Sequence, residues 1–107
     1  MARLVALRCT ISRGGFSDER IFRLRLPGGD YTGIASRTYC WNDQDDPLSE
    51  GEPAEGQTIA GKVAARVLEV RGADVLVSIP DGDVVTVRAN QLIESPPLMD
   101  THVSIRS

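Results

Sequence analysis

Apolar and polar residues alternate with a period of two in four stretches of this 107-residue chain. This period is typical of half-buried β-strands, and no stretch keeps a helical period over the roughly twelve residues that an amphipathic helix needs. The side chains assigned to the inner face are, in chain order, Val5, Leu7, Cys9 and Ile11; Phe22, Leu24 and Leu26; Val75, Val77 and Ile79; and Val85 and Val87. The chain is therefore predicted to be all-β.

Nearly the same phrase occurs twice, as LPGGDYTGI at residues 26–34 and as IPDGDVVTV at residues 79–87. Proline followed by glycine and aspartate favours a tight hairpin turn between two strands. The preceding strands also match, VALRCTISRG against VAARVLEVRG. Two interpretations stay open at this point: an internal duplication, or a chance likeness between two hairpins that use the same turn residues.

The turns divide the chain into two three-stranded β-meanders packed together, at residues 1–42 and 59–107, joined by an acidic loop or linker at 43–58. Each meander closes with a short apolar step, Tyr39-Cys40 in the first and Leu92-Ile93 in the second. The second ends in an irregular tail, where Val103 to Ile105 are expected to form a short closing strand. Whether the meanders make one barrel or two is left open by the sequence.

The stretch VLVSIPDGDVVTVRANQLIE, at residues 75–94, resembles the strand, turn, strand and short-turn ending of many SH3-like and tudor-like barrels. This resemblance implies a small SH3-like, barrel-like fold. It concerns the fold only and brings no functional residue with it.

Six acidic residues and no basic one lie in residues 43–57, whereas residues 1–42 carry a net charge of +4. We expect the acidic segment to contribute little to the core, so that removing residues 44–54 leaves the fold intact. Its NDQDD run, at 42–46, offers oxygen ligands but lacks the glycine and the distant glutamate of a calcium-binding EF-hand loop. A solvated acidic loop is the favoured interpretation, and no metal or cofactor is expected.

No apolar run near the N-terminus reaches the length of a membrane span or of a signal-peptide core, so a cytoplasmic protein without a membrane partner is expected. Cys9 and Cys40 lack CxxC spacing, and thiols in the cytosol are mostly reduced, although pairing of the two stays open. His102 is the single histidine. A catalytic dyad of His102 with Cys40 has little support, and a non-enzymatic protein is predicted.

The first functional hypothesis is a small binding or scaffolding module for a protein or peptide. Aromatic side chains beside the acidic loop are the candidate contacts, because exposed tyrosine and tryptophan are frequent anchors at interfaces. The candidates are Trp41, Tyr39 and Tyr31, although a buried position is the expected one for Trp41. The partner's identity and the oligomeric state are not specified by the sequence.

The alternative hypothesis is RNA or DNA binding by an arginine-rich sheet face in the N-terminal meander. Eleven of the twelve basic residues are arginine, and alternation places several of them on the outer face, where they would meet phosphates. The candidates are Arg8, Arg23, Arg25 and Arg37. A solvated face whose arginines pair with nearby acids is the competing interpretation.

Overall fold

The computed structural model describes residues 3–93, which form antiparallel β-strands and two 3₁₀ turns, with no α-helix among them. The strands are β1 (Arg3–Arg13), β2 (Glu19–Leu26), β3 (Gly29–Ser36), β4 (Cys40–Asn42), β5 (Thr58–Arg71), β6 (Asp74–Ser78), β7 (Val84–Arg88) and β8 (Leu92–Ile93). The prediction of an all-β, barrel-like protein is confirmed. The expected strand at 103–105 lies outside the described residues, as does His102.

The two meanders share a single curled sheet, in the order β3-β2-β1-β5-β6-β7, that forms a half-barrel. The long antiparallel pair β1–β5 joins them, with a continuous register from Arg3 opposite Val67 to Ser12 opposite Thr58. Across the curl, the Tyr31 hydroxyl oxygen on β3 lies 2.6 Å from Asp81 Oδ2 and 2.5 Å from Asp83 Oδ2 in the β6–β7 turn. This contact holds the two ends of the sheet together.

Each meander closes on the first strand of the other. After β3, the first 3₁₀ turn (Arg37–Tyr39) leads into β4, which pairs with β5. After β7, the second 3₁₀ turn (Ala89–Gln91) leads into β8, which pairs with β1. The same succession of elements therefore occurs in both halves, with reciprocal pairing at the end.

One core lies inside the curl, and the predicted alternation places the right residues in it. Its members come from both meanders and include Val5, Leu7, Ile11, Phe22, Leu24, Val63, Val75, Val77, Ile79, Val85 and Val87, with Cys9 and Leu26 packed against it. Leu76 and Ser78 on β6 alternate with these positions on the other face of the sheet. The register read from the sequence was correct on all four predicted strands.

The acidic loop corrects the expectation that it contributes little to the core. Leu48 is 2% exposed and belongs to the core cluster, and Pro53 is also buried. Three arginines bind the loop backbone: Arg37 donates to the carbonyl of Leu48, Arg13 to that of Pro53, and Arg20 to three further carbonyls. Deleting residues 44–54 would remove these contacts, so the loop is part of the fold.

Arg20 makes more hydrogen bonds to the loop backbone than Arg37 or Arg13. It is 0% exposed, and its guanidinium donates to five backbone carbonyls rather than to a carboxylate. Two acceptors are in its own hairpin, and three are in the acidic loop: Ser49 at 3.3 Å, Glu50 at 3.0 Å and Glu52 at 3.0 Å. Burial is the main cause that lowers the pKa of Arg20, with the charges of Arg13 and Arg37 next.

Candidate functional site

The outer edge of β1 has a fork where one partner strand gives way to another. β8 pairs with Ala6 and Leu7, and β2 pairs with β1 only from Thr10 onward. The second 3₁₀ turn lies between β8 and β2. Its Gln91 donates a side-chain amide hydrogen to the carbonyl of Arg25, at 2.6 Å. Because β2 and β8 diverge here, a cleft opens on the outer face of the sheet.

We call this space the arginine cleft. It has a volume of about 420 Å³, which lies within the usual range for ligand sites. Its lining residues are Arg8, Cys9, Thr10, Arg23, Arg25, Asn90 and Gln91. Alternation along β1 and β2 directs the arginine side chains outward, and the fork brings them together with the polar residues of the turn.

The three arginines of the cleft have no salt bridge and no side-chain hydrogen bond within residues 3–93. All three are exposed, and none of the described residues that line the cleft is acidic. Asp30 lies opposite Arg25 in the β2–β3 register, but no ion pair joins the two. The cleft therefore presents three uncompensated positive charges to solvent, an arrangement suited to an anion.

Arg37, the fourth predicted arginine, lies elsewhere and is already engaged. Its Nε atom is 3.0 Å from Asp18 Oδ1, and its Nη1 atom donates to the carbonyl of Leu48. It follows β3 in the first 3₁₀ turn rather than lying on the sheet face. Arg37 is therefore not part of the candidate anion site, because its guanidinium is already bound to Asp18 and to the acidic loop.

The aromatic candidates are not brought together on one surface. Trp41 is 1% exposed, as the sequence favoured, so it is not available to a partner in this conformation. Tyr31 is partly buried against Phe22, with ring centroids 6.3 Å apart, and its hydroxyl is held by Asp81 and Asp83. Tyr39 is the accessible one, at 51% exposure.

Tyr39 lies at a second fork, on the outer edge of β5, that corresponds to the first. β4 pairs with β5 up to Val63 and β6 pairs from Arg66, so neither of these two strands pairs with the edge at Ala64 and Ala65. A cleft of about 200 Å³ opens there, which we call the tyrosine cleft. It is lined by Leu4, Tyr39, Ala64, Ala65, Arg66, Ser78, Ile79 and Pro80.

Neither cysteine has the properties of a nucleophile. The two thiols are free, and burial raises the pKa of Cys40 to about 12 and that of Cys9 further. The Cys40 thiol also donates to the carbonyl of Ser36 at 3.7 Å. Both groups therefore remain protonated thiols at neutral pH.

The NDQDD run forms a turn that is satisfied by the protein itself. Asn42 Oδ1 accepts from the backbone amides of Gln44 and Asp46, and Asp45 pairs with the buried Lys62. Within residues 3–93, no three acidic, cysteine or histidine side chains are grouped as metal ligands. The same part of the chain contains no helix with the length and apolar composition of a membrane span.

Comparisons with protein-family models, with curated proteins and with solved structures find no match to this chain. The function is therefore argued from the two clefts and from the residues that line them.

Sequence reasoning missed the residues that complete the clefts. Alternation around VAARVLEV marks Arg66 as an outward residue, so this arginine was open to prediction. Asn90 and Gln91 were not, because their place beside Arg25 depends on the pairing of β8 with β1 across the chain. Thr10 alternates with the inner-face residues Cys9 and Ile11, but only its arginine neighbours in the folded chain indicate a role for its hydroxyl.

Proposed function

We propose that this protein is a non-enzymatic binding module for single-stranded nucleic acid, and that the arginine cleft holds the phosphate backbone. The observation that carries the proposal is the convergence of Arg8, Arg23 and Arg25, all unpaired within residues 3–93, on one cleft of about 420 Å³. Guanidinium groups bind phosphate oxygens through paired hydrogen bonds, and Thr10 and Asn90 supply further polar contacts beside them.

The alternative of peptide binding through aromatic anchors has less support. Two of its three candidate residues, Trp41 and Tyr31, are buried or bonded within the protein. A strand bound mainly through phosphates would be selected by charge rather than by base sequence, because none of the described residues that line the arginine cleft is aromatic.

Two further proposals accompany this one. A cytoplasmic location is supported by the free thiols of Cys9 and Cys40, since thiols stay reduced in that compartment.

An internal duplication is supported by the shared order of elements, by a 3₁₀ turn at the same place in each half, and by the reciprocal pairing of β4 with β5 and β8 with β1. Duplication would account for two forks of similar geometry but different lining.

The test is the binding of a fluorescein-labelled, mixed-sequence single-stranded oligonucleotide, followed by anisotropy. If three phosphates are neutralised, affinity should fall about 20-fold between ~50 and ~200 mM salt, from a log–log slope of about −0.7 per phosphate. Arg23→Ala should reduce that slope by about 0.7. Arg71→Ala is the matched control, because Arg71 is an exposed arginine in the β5–β6 hairpin that pairs with Glu69.

Two outcomes would overturn the proposal. One is the absence of oligonucleotide binding at the lower salt concentration. The other is competition by poly-glutamate at equal charge concentration that is as strong as competition by unlabelled oligonucleotide. The second result would mean that the cleft recognises carboxylate-rich protein rather than phosphate.

A further inference from the structure

The tyrosine cleft pairs a half-exposed aromatic ring with an arginine that is available to a ligand. Tyr39 is 51% exposed, and Arg66 is exposed with no ion pair or side-chain hydrogen bond within residues 3–93. The cleft of about 200 Å³ also includes Ser78 and Pro80. An aromatic face next to a guanidinium is the combination on which single-stranded nucleic acids stack a base and fix a phosphate.

The two clefts open on the same face of the sheet. Partners opposite each other in an antiparallel ladder share a face, as do residues two or four apart on one strand. Arg8 is opposite Lys62, and Leu4 is opposite Arg66, so these four residues lie on one face. Both clefts therefore open toward the same side of the sheet, where Lys62 itself is buried and pairs with Asp45.

The offset along the strands between Arg8 and Arg66 matches the length of a short oligonucleotide. Arg66 is four residues beyond Lys62 on β5, which places it about 14 Å along the strand from the level of Arg8 at a rise of ~3.4 Å per residue. Four stacked nucleotides cover about the same length at ~3.4 Å each. The row between the two levels is formed by Ala6, which is buried, and by the partly exposed Ala64, so the ladder places no charged side chain there.

The charged residues around Tyr39 also indicate on which side of its ring a phosphate is accepted. On its other side, Tyr39 and Pro80 line a separate cleft of about 370 Å³ together with Asp18 and Glu19. Carboxylates at that border disfavour phosphate, whereas Arg66 attracts it. A strand at Tyr39 is therefore expected to place its phosphate on the Arg66 side of the ring rather than on the side of Asp18 and Glu19.

We propose, on the basis of the proposed function, that the tyrosine cleft is a second subsite for the same single strand. Tyr39 stacks a nucleobase there, and Arg66 contacts the adjoining phosphate. The strand runs from the arginine cleft to Tyr39 and needs about five nucleotides to occupy both sites. The subsite contributes affinity with little base preference, because every base presents a face for stacking.

The test compares Tyr39→Ala with Tyr39→Phe, using oligothymidylates of ~3, ~6 and ~12 nucleotides. Removal of one stacking ring weakens binding roughly 5- to 150-fold, so Tyr39→Ala should lose that much affinity for the two longer oligonucleotides and little for the shortest. Tyr39→Phe should restore it, because phenylalanine keeps the ring. The salt slope should be unchanged by Tyr39→Ala and about 0.7 smaller with Arg66→Ala.

A 2-aminopurine base near the end of the strand gives an independent signal, because its fluorescence is quenched on stacking and should recover with Tyr39→Ala. The subsite is wrong if the wild-type protein binds all three oligonucleotide lengths with a salt slope that falls in Arg23→Ala, yet Tyr39→Ala binds them with the wild-type affinity. It is also wrong if the wild-type protein binds a proline-rich peptide through Tyr39 without releasing the longer oligonucleotides. Failure of the wild-type protein to bind any oligonucleotide would instead refute the proposed function.

Discussion

Replacement of Arg20 by methionine removes five hydrogen bonds from one buried side chain. Arg20→Met keeps an unbranched apolar stem but leaves the carbonyls of Ser17, Glu19, Ser49, Glu50 and Glu52 without their shared donor. The last three acceptors lie in the acidic loop, whose Leu48 belongs to the core. The substitution therefore affects the loop and the packing beneath it together.

The magnitude follows from two opposing contributions. A hydrogen bond to a charged group contributes about 1.5–3 kcal/mol net, so five such bonds amount to about 8–15 kcal/mol before costs. Burial of a guanidinium without a carboxylate partner costs several kcal/mol, and the freed loop carbonyls regain water in the variant. We expect Arg20→Met to lower the free energy of unfolding by about 3–5 kcal/mol.

The assay is urea unfolding followed by the fluorescence of Trp41, which is buried in the folded protein. Arg23→Met is the matched control, because Arg23 is on the same strand but exposed, and it should change stability by no more than about 0.5 kcal/mol. If Arg20→Met does not fold, Arg20→Lys gives the milder test, since one ammonium has three donors for five carbonyls. The reasoning is refuted if either Arg20 variant is as stable as Arg23→Met.

Two further predictions concern packing and pH. Gly33→Ala should cost about 1–3 kcal/mol, because a Cβ there would meet Phe22 Cζ at 2.6 Å, whereas Gly28→Ala faces open space and should be nearly neutral; equal urea midpoints for the two would contradict this. Stability should fall between about pH 9 and 12, because burial raises the pKa of Cys40 from 9.0 to about 12 and the unfolded thiol loses its proton first; Cys40→Ala should have a weaker alkaline dependence, measured by urea unfolding at each pH.

The strand faces were predictable from the sequence because a period of two leaves one solution for which residues enter the core. Val5, Leu7 and Ile11 follow from alternation alone, as do the outward positions of Arg8, Arg23 and Arg25. The proline, glycine and aspartate residues between the strands predicted the positions of the hairpin turns in the same way. These are local properties of the chain, and they are largely independent of which strand pairs with which.

The rest depended on contacts between distant parts of the chain. An acidic segment with two prolines is typical of a solvated linker, and nothing local shows that Leu48 is a core residue. The role of Arg20 was equally hidden, because alternation with Phe22 places it on the inner face but nothing local shows that the acidic loop supplies its hydrogen-bond acceptors. The forks that form the two clefts exist only because β4 and β8 cross to the other meander.

The most direct measurement is the salt dependence of single-strand binding by the wild-type protein and by a variant in which Arg8, Arg23 and Arg25 are all replaced by alanine. We expect a log–log slope of about −2 or steeper for the wild-type protein, and a slope reduced by about 2 in the variant, which should still unfold cooperatively. A wild-type slope near zero, or a slope that the triple substitution leaves unchanged, would contradict the assignment of the arginine cleft as the phosphate-binding site.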